Sequence, residues 1–369
     1  MIYREAGQYK VSYAADQAMF PIAQDRWAII ALAVAAFAFG LVTYASPNYL
    51  LHTLGWEYAF KAILTPTLIL AIAAIGLNIL TGYCGQVSLG SGAFMAIGAY
   101  AAYNFSIRLE FLSPYVCIVL GGFVSAAVGV VFGVPSLRIK GFYLACATLA
   151  AQFFFDWAFA RIKWFTNYTP SGSVTAPQLS LFGLDLSSPH GKYLTALVFV
   201  VVLAVIAKNL VRGHVGRQWM AIRDMDIAAE IIGIQPMYAK LSAFAVSSFF
   251  IGIAGGLWAY LYLGSWEPLA FDINRSFTLL FMVIIGGLGS VMGSFFGAAF
   301  IFILPIFLNQ VLPPLGARVG WKIDTATVSH IEFMVFGALI VFFLIVEPHG
   351  LARLWSIAKE KLRLWPFPH

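Results

Sequence analysis

The feature that most constrains this chain is the length of its segments without Asp, Glu, Lys or Arg. Residues 62–107 form one such run of 46 residues, and residues 276–317 form another of 42. A helix needs about 20 predominantly apolar residues to cross the hydrocarbon core of a bilayer. Backbone polar groups in lipid must be paired within helices, so each of these two runs predicts two membrane crossings.

The composition agrees with a membrane protein and excludes several other classes. Hydrophobic residues make up 61% of the 369 residues and charged residues only 10%, whereas soluble domains carry about 25% charged residues. A chain this poor in charge cannot cover a globular surface, which excludes a soluble enzyme and a disordered regulator. The net charge of +6 does not indicate nucleic-acid binding, because the basic residues are spread along the chain.

We therefore predict an all-α polytopic membrane protein with about ten transmembrane helices. The expected domains are an N-terminal tail at 1–26, a transmembrane domain at 27–347 with a loop at 209–240, and a C-terminal tail at 348–369. The expected helices lie at roughly 27–46, 59–80, 87–106, 115–135, 142–160, 192–208, 241–263, 277–289, 291–312 and 330–347.

Basic residues are divided unequally between the two predicted sides of the membrane. Ten crossings place both termini on the same side. That side receives 14 of the 22 basic residues, and the other side receives 8. Because cytoplasmic loops carry an excess of Lys and Arg, we expect the N and C termini to be cytoplasmic.

A glycine-rich segment with uncharged polar side chains lies inside the longest charge-free run. Residues 76–94 read GLNILTGYCGQVSLGSGAF, and glycine costs about 1 kcal/mol in a helix interior. This pattern predicts either broken backbone beside a translocation path or close helix packing through small residues, and the two can hold together. A second stretch, GGLGSVMG at 286–293, predicts a turn between the eighth and ninth helices. Asn78 and Gln152 are expected to make interhelical hydrogen bonds.

The loop after the sixth predicted helix contains a short helical segment. Residues 217–232 favour a helix, and Gly233 is a natural stop for it. Arg223 and Asp226 are spaced to pair at i,i+3. Such a helix either lies on lipid headgroups or docks onto a partner. Its acidic residues argue against simple binding to an anionic membrane.

Signals for catalysis or cofactor binding are weak. The pair Gly191–Lys192 lacks the upstream glycine of a nucleotide-binding loop. The six histidines are scattered and the three cysteines form no CxxC pair, so we expect no metal site, no cofactor and no disulfide framework. Asp156, Glu332 and Glu347 lie near predicted helix ends, where solvation at the interface is a simpler role than a proton relay.

Four motifs, in order, carry a family resemblance. GLNILTGYCGQVSLGSGAFMAIGAY at 76–100, GFYLACATLA at 141–150, the 216–233 loop and GGLGSVMG at 286–293 together resemble the permease subunits of branched-chain amino acid ABC importers. Within that family the chain is similar to the LivM-type subunit rather than to its LivH-type partner. The resemblance covers roughly residues 59–347.

The resemblance implies a type II ABC importer permease fold and a non-catalytic role. The chain would form a translocation path for branched-chain amino acids or related small polar or aromatic acids, by ATP-driven alternating access in the bacterial inner membrane. The implied partners are a second, LivH-type permease, two cytoplasmic ATPase subunits that hydrolyse the ATP, and an external substrate-binding protein. An ATP-independent secondary carrier or channel is the alternative function.

The resemblance also implies roles for individual residues. Seven residues of the 217–233 segment would couple to the ATPase: Trp219, Arg223, Asp226, Ala228, Ala229, Glu230 and Gly233. Six residues would contribute to the translocation path: Asn78, Tyr83, Gly85, Gln86, Ser88 and Ser91. Ser91 stands where the family often has His, which leaves substrate selectivity open at that point. In an aromatic-rich outer loop, Trp164 is expected in the interfacial belt and Tyr168 on a surface for the binding protein.

Overall fold

A computed structural model describes residues 23–45, 56–109, 111–137, 143–169, 172–177, 179–181, 184–319, 325–347 and 349–364. The predicted N-terminal tail lies almost entirely outside these residues. The helices are α1 (Ala23–Ala45), α2 (the successive segments Trp56–Tyr58, Ala59–Leu64, Thr65–Asn78 and Ile79–Tyr83), α3 (Ser91–Arg108), α4 (Pro114–Leu137), α5 (Tyr143–Arg161), α6 (Pro189–Arg212), α7 (His214–Ile231), α8 (Pro236–Leu257, continued by a π-helical turn at Trp258–Leu263), α9 (Ile273–Gly286), α10 (Val291–Val319), α11 (Thr325–Val346) and α12 (Gly350–Leu364).

Four two-residue strands lie in the connections between these helices. They are β1 (Val174–Thr175), β2 (Ser180–Leu181), β3 (Leu184–Asp185) and β4 (Ser265–Trp266). Strand β1 pairs antiparallel with β4, and β2 pairs antiparallel with β3. The β1–β4 pair ties the connection after α5 to the connection after α8.

Eight helices of the described part are long and apolar enough to cross a membrane, namely α1, α2, α4, α6, α8, α9, α10 and α11. Helices α3 and α5 are not among the eight. The prediction of an all-α, multi-pass membrane protein is confirmed. The count of ten crossings stays a prediction.

Two helix boundaries depart from the sequence interpretation in ways that affect function. Helix α3 begins at Ser91 rather than near residue 87, because residues 85–90 before it are not helical. The segment interpreted as a C-terminal tail contains helix α12. Its charged residues make it unlike an apolar membrane span. Leu351, Leu354 and Trp355 nevertheless have the i, i+3, i+4 spacing of an amphipathic helix.

The core is formed by close packing of α3, α4 and α8 through glycines. A methyl group on Gly98 would overlap the carbonyl oxygen of Gly252, and one on Gly255 would overlap the carbonyl oxygen of Met95. Gly122 faces α8 in the same way, where Ile253 and Phe249 lie against it. Small residues let membrane helices approach this closely.

Two contacts identify the two ends of the helix bundle. At one end, Arg108 at the end of α3 stacks 3.7 Å from the ring centroid of Trp164 and donates to the Trp164 carbonyl at 3.2 Å. At the other end, Nζ of Lys359 in α12 donates to Oδ2 of Asp25 in the first turn of α1 at 2.9 Å. The start of α1 and the C-terminal helix therefore lie at the same end, as an even number of crossings requires.

Candidate functional site

The glycine-rich segment breaks the helical path between α2 and α3. Residues 85–90 are not helical, and Gly85 has a φ of +73°, a conformation that side chains with a Cβ rarely adopt. This non-helical backbone is held against α5: the N–H of Leu89 donates to Oγ1 of Thr148 at 3.0 Å, and Gly90 packs on the Thr148 carbonyl. The predicted break in the helical path is therefore present, and Leu89 and Gly90 pack against α5.

Helix α3 starts near the middle of the bundle. The hydroxyl of Ser125 donates to the carbonyl oxygen of Phe94, in the first turn of α3, at 3.1 Å. Ser125 lies halfway along α4, which runs from Pro114 to Leu137. The first turn of α3 therefore lies level with the middle of α4, and the non-helical segment 85–90 connects it to the end of α2.

Gln152 of α5 organises the N-terminus of α3, where backbone N–H groups have no partner within the helix. Its Oε1 accepts from the N–H of Ala93 at 2.7 Å and from the hydroxyl of Ser276 at 3.0 Å. The Ser276 hydroxyl in turn accepts from the N–H of Gly92 at 2.7 Å. The Gln152 Nε2 donates to the Phe271 carbonyl at 3.0 Å. Gln152 thus makes the interhelical hydrogen bonds expected of it.

Three polar side chains beside the break have no hydrogen-bond partner among the described residues. They are Gln86, through both Nε2 and Oε1, and Ser88 and Ser91, through their hydroxyls. All three are buried. Burying a polar group without a hydrogen bond is costly, so these atoms lack the partners that burial normally requires. The nearby Tyr83 is buried as well, whereas Gly85 is exposed.

Asn78 is fully engaged in holding the turn between α9 and α10. Its Nδ2 donates to the carbonyl oxygens of Ser290 at 2.9 Å and Gly287 at 3.3 Å, and to the Ser294 hydroxyl at 2.9 Å. Its Oδ1 accepts from the N–H of Gly289 at 2.8 Å. The interhelical hydrogen bonds predicted for Asn78 are present. They engage the polar atoms of its side chain in holding the turn.

Arg223 joins α7 to the end of α2. Its Nη1 donates to the carbonyl oxygen of Gly82 at 2.9 Å, and its Nε and Nη2 donate to Oδ1 of Asp224 at 3.0 and 2.8 Å. A methyl group on Gly85 would come within 2.9 Å of the Arg223 Cγ. One side chain of α7 therefore contacts the chain on both sides of the point where α2 ends.

The pairing predicted between Arg223 and Asp226 is wrong. Met225 has φ −162° and ψ 99°, which breaks α7 into two helical pieces. The i,i+3 relation requires continuous helix, and the break turns Asp226 away. Asp226 instead lies 3.5 Å from Nζ of Lys240 in α8.

The residues predicted to couple to an ATPase divide between the two faces of α7. Trp219 is fully buried and donates from Nε1 to the Ser242 hydroxyl at 2.9 Å, and Ala229, in the second piece of the helix, is also buried. Ala228 and Glu230 are exposed. The structure therefore uses Trp219 and Ala229 to fix α7 on the body of the protein, and only the other face is open to a partner.

The second piece of α7 ends in an exposed apolar tip. Ile231 is 81% exposed and Ile232 is 74% exposed. The N–H of Gly233 donates to the Glu230 carbonyl and that of Ile234 donates to the Ala229 carbonyl, each at 3.0 Å. With a φ of +91° at Gly233, this is a Schellman motif, so the predicted helix stop is confirmed. Sequence reasoning missed the exposure of the two isoleucines, because their spacing alone does not show which side faces water.

Comparison with known proteins agrees with these features. The family described as branched-chain amino acid transport system / permease component matches residues 59–344. The chain is 31% identical over 318 residues to the high-affinity branched-chain amino acid transport system permease proteins LivM of Salmonella typhimurium and Escherichia coli, covering 78% of this chain and 69% of each relative.

A further relative carries a different name. The ribose import permease protein RbsC of Haemophilus influenzae is 27% identical over 263 residues, which cover 68% of this chain and 76% of that protein. No solved structure matches the chain. The broken α2–α3 segment, the exposed α7 loop and the match over most of the sequence lead to one conclusion: this chain belongs to the family of permease components of branched-chain amino acid transport systems.

Proposed function

We propose that this chain is a membrane-spanning subunit of an ATP-driven importer, forming part of a translocation path for branched-chain amino acids or related small polar or aromatic acids. Separate cytoplasmic chains would hydrolyse the ATP, and α7 would contact them. One observation carries the proposal: Arg223 of α7 donates a hydrogen bond to Gly82, so a surface helix is linked directly to the break between α2 and α3.

The coupling role of α7 rests on its two faces. Trp219 and Ala229 anchor the helix, while Ile231 and Ile232 project from it, and an apolar tip of this kind marks a site for a partner. A partner shifts a conformational equilibrium only through contacts that differ between the two states. Closure of ATPase subunits around the tip would supply such contacts, and Arg223 would pass the displacement of α7 to the end of α2.

The path proposal rests on the unpaired polar atoms beside the break. Gln86, Ser88 and Ser91 offer uncharged donors and acceptors, which suit a solute that must bind and then leave. Gly85 and Tyr83 adjoin them along the chain. Asn78 would support the path by holding the α9–α10 turn, since its polar atoms are already bonded.

The substrate class comes from the relatives. The two LivM proteins are named for branched-chain amino acids, and we propose the same class for this chain. The relative named for ribose import has lower identity. Amino acids carry an ammonium and a carboxylate group, both of which the amide and hydroxyl groups beside the break can bind.

The complete transporter would contain four kinds of chain in a bacterial inner membrane. Beside this subunit we propose a LivH-type permease, two ATPase subunits at the α7 end and an external substrate-binding protein at the opposite end. That opposite end presents exposed apolar side chains, with Phe111 83% exposed and Tyr168 and Leu269 also exposed. These side chains suit a landing surface for a soluble protein.

The test is purification of the full-length tagged chain from its native membranes in a mild detergent, followed by identification of the proteins that remain bound. We expect a second permease and an ATPase, and we expect leucine uptake by the reconstituted assembly to require ATP. Leucine flux in liposomes that contain this chain alone, without ATP, would instead establish the carrier or channel alternative.

A further inference from the structure

A second surface feature lies between α10 and the C-terminal helix α12, away from the α2–α3 break. The two helices enclose a groove of about 730 Å³ that is lined by apolar side chains. Helix α10 contributes a stripe from Phe296 to Phe307, and α12 contributes Leu351, Leu354 and Trp355. The rings of Phe296 and Trp355 are 5.6 Å apart at the contact between the helices. The groove is open, because Phe307, Leu354 and Trp355 are all exposed.

The depth of the groove follows from the helices that form it. The apolar span of α10 runs from Val291 to Pro314, and the groove begins in the second turn of this span. The apolar span of α1 begins at Asp25, whose carboxylate bonds Lys359 of α12. Helix α12 therefore lies at the level where the membrane spans begin, and the groove descends from that level toward the hydrocarbon. An occupant at this depth comes from the bilayer rather than from water.

The charge on α12 selects the kind of lipid. The helix carries four basic residues, Arg353, Lys359, Lys361 and Arg363, against one acid, Glu360. At 3.6 residues per turn, Lys359 and Lys361 flank the apolar stripe on opposite sides, an arrangement in which lysine stems cover apolar surface while the ammonium groups reach the headgroups.

Two of these cations already have protein partners. Arg353 lies 3.4 Å from Glu347, and Lys359 bonds Asp25 at 2.9 Å. Lys361 is exposed and follows Ala358, the last residue of α12 that lines the groove, by about one helical turn. Basic side chains at the membrane surface attract anionic lipids, so Lys361 is placed to meet a phosphate.

We propose that the α10–α12 groove binds an acyl chain of an anionic phospholipid of the adjacent leaflet, with the lipid phosphate beside Lys361. The acyl chain covers the exposed faces of Phe307, Leu354 and Trp355, and the headgroup is held at the level of the Lys359–Asp25 bond. The apolar lining accepts any acyl chain, so preference among lipids arises from the headgroup charge.

The test is native mass spectrometry of the full-length chain in a non-ionic detergent, titrated with dioleoyl phosphatidylglycerol or dioleoyl phosphatidylcholine. We expect one phosphatidylglycerol to bind more tightly than phosphatidylcholine. Lys361→Gln should weaken phosphatidylglycerol binding about fivefold, which is the effect of one basic group near the surface, and leave phosphatidylcholine binding unchanged. Lys163→Gln, an exposed lysine at the opposite end of the bundle, is the matched control and should change neither.

A second pair of variants tests the groove itself. Ile303→Trp fills the α10 side of the groove and should weaken both lipids, whereas Ile345→Trp, on an exposed face of α11, should weaken neither. Thermal unfolding of each variant identifies any that does not fold, and Lys361→Gln keeps the test decisive if Ile303→Trp fails. Equal binding of the two lipids would overturn the proposal. A dimer that Ile303→Trp dissociates would overturn it too, by assigning the groove to a second copy of the chain.

Discussion

Nη1 of Arg223 lies 2.9 Å from the carbonyl oxygen of Gly82 and donates a hydrogen bond to it, although the two residues are 141 positions apart. Gly82 lies in the last turn of α2 and packs directly on Gly289, in the turn that Asn78 holds. The α7 loop, the end of α2 and the α9–α10 turn therefore meet at one point. If α7 moves while this contact is kept, the α2–α3 break must move with it.

Arg223→Ala should uncouple α7 from the break. The substitution removes a charge-assisted hydrogen bond, which contributes about 1.5–3 kcal/mol, so we expect leucine uptake to fall about tenfold or more at equal membrane abundance. ATP hydrolysis by the purified assembly should persist. Arg217→Ala is the control, because Arg217 is exposed and donates only to the Arg212 carbonyl nearby. Equal uptake in the two variants would show that the Gly82 contact transmits nothing.

Asn78→Ala should destabilise the protein by releasing the α9–α10 turn. The donations from its two Nδ2 hydrogens, shared among three acceptors, are lost together with the bond from the Gly289 N–H, and we expect the free energy of unfolding to fall by roughly 2–4 kcal/mol. The thermal unfolding midpoint in detergent measures this. Asn309→Ala is the matched control: its Nδ2 bonds only the Pro305 carbonyl one turn away, and its midpoint should stay close to that of the unchanged chain.

Gly98→Ala should disrupt the contact of α3 with α8. The new methyl group overlaps the Gly252 carbonyl, and overpacking of this kind costs about 1–3 kcal/mol. At Gly337 in α11, a methyl group meets nothing within 4 Å, so Gly337→Ala should stabilise its helix by about 0.5–1 kcal/mol. The unfolding midpoints of the two variants should therefore shift in opposite directions. A lowered midpoint in both would contradict the packing role.

Ile231→Asp should remove the ATPase from the purified assembly. The side chain is exposed, so the fold should tolerate the charge, while an apolar docking site would not.

Glu230→Lys should also weaken the contact with the ATPase, through charge reversal, and should abolish uptake while the protein still inserts into the membrane. Phe111→Asp, at the opposite end of the bundle, should retain the ATPase and lose only the external binding protein. Normal uptake in Glu230→Lys would count heavily against the role of α7.

The parts of the fold that depend on neighbouring residues were predictable from the sequence. Charge-free runs as long as 62–107 indicate membrane helices, and the glycines of 76–94 indicate both a break and close packing. The stop at Gly233 follows from the conformations that glycine allows. Each of these features arises within a few residues of chain, where period and residue type decide the structure.

The parts that depend on distant residues were not predictable in the same way. Thr148 and Ser276 determine where α3 begins, and they lie 59 and 184 positions from their partners. Because the helix breaks at Met225, Asp226 lies beside Lys240 rather than beside Arg223. No local sequence pattern predicts this break. Trp219 points inward because Ser242 of α8 meets its indole, a fact that helix periodicity leaves open.

The first turn of α3 depends on α9, a helix that is synthesised much later. The N–H of Gly92 reaches its partner only when Ser276 is in place, so α3 leaves the ribosome long before its first turn can be completed. Unbonded N–H groups are costly in lipid. We therefore expect the first turn of α3 to take its final form only after α9 has been inserted.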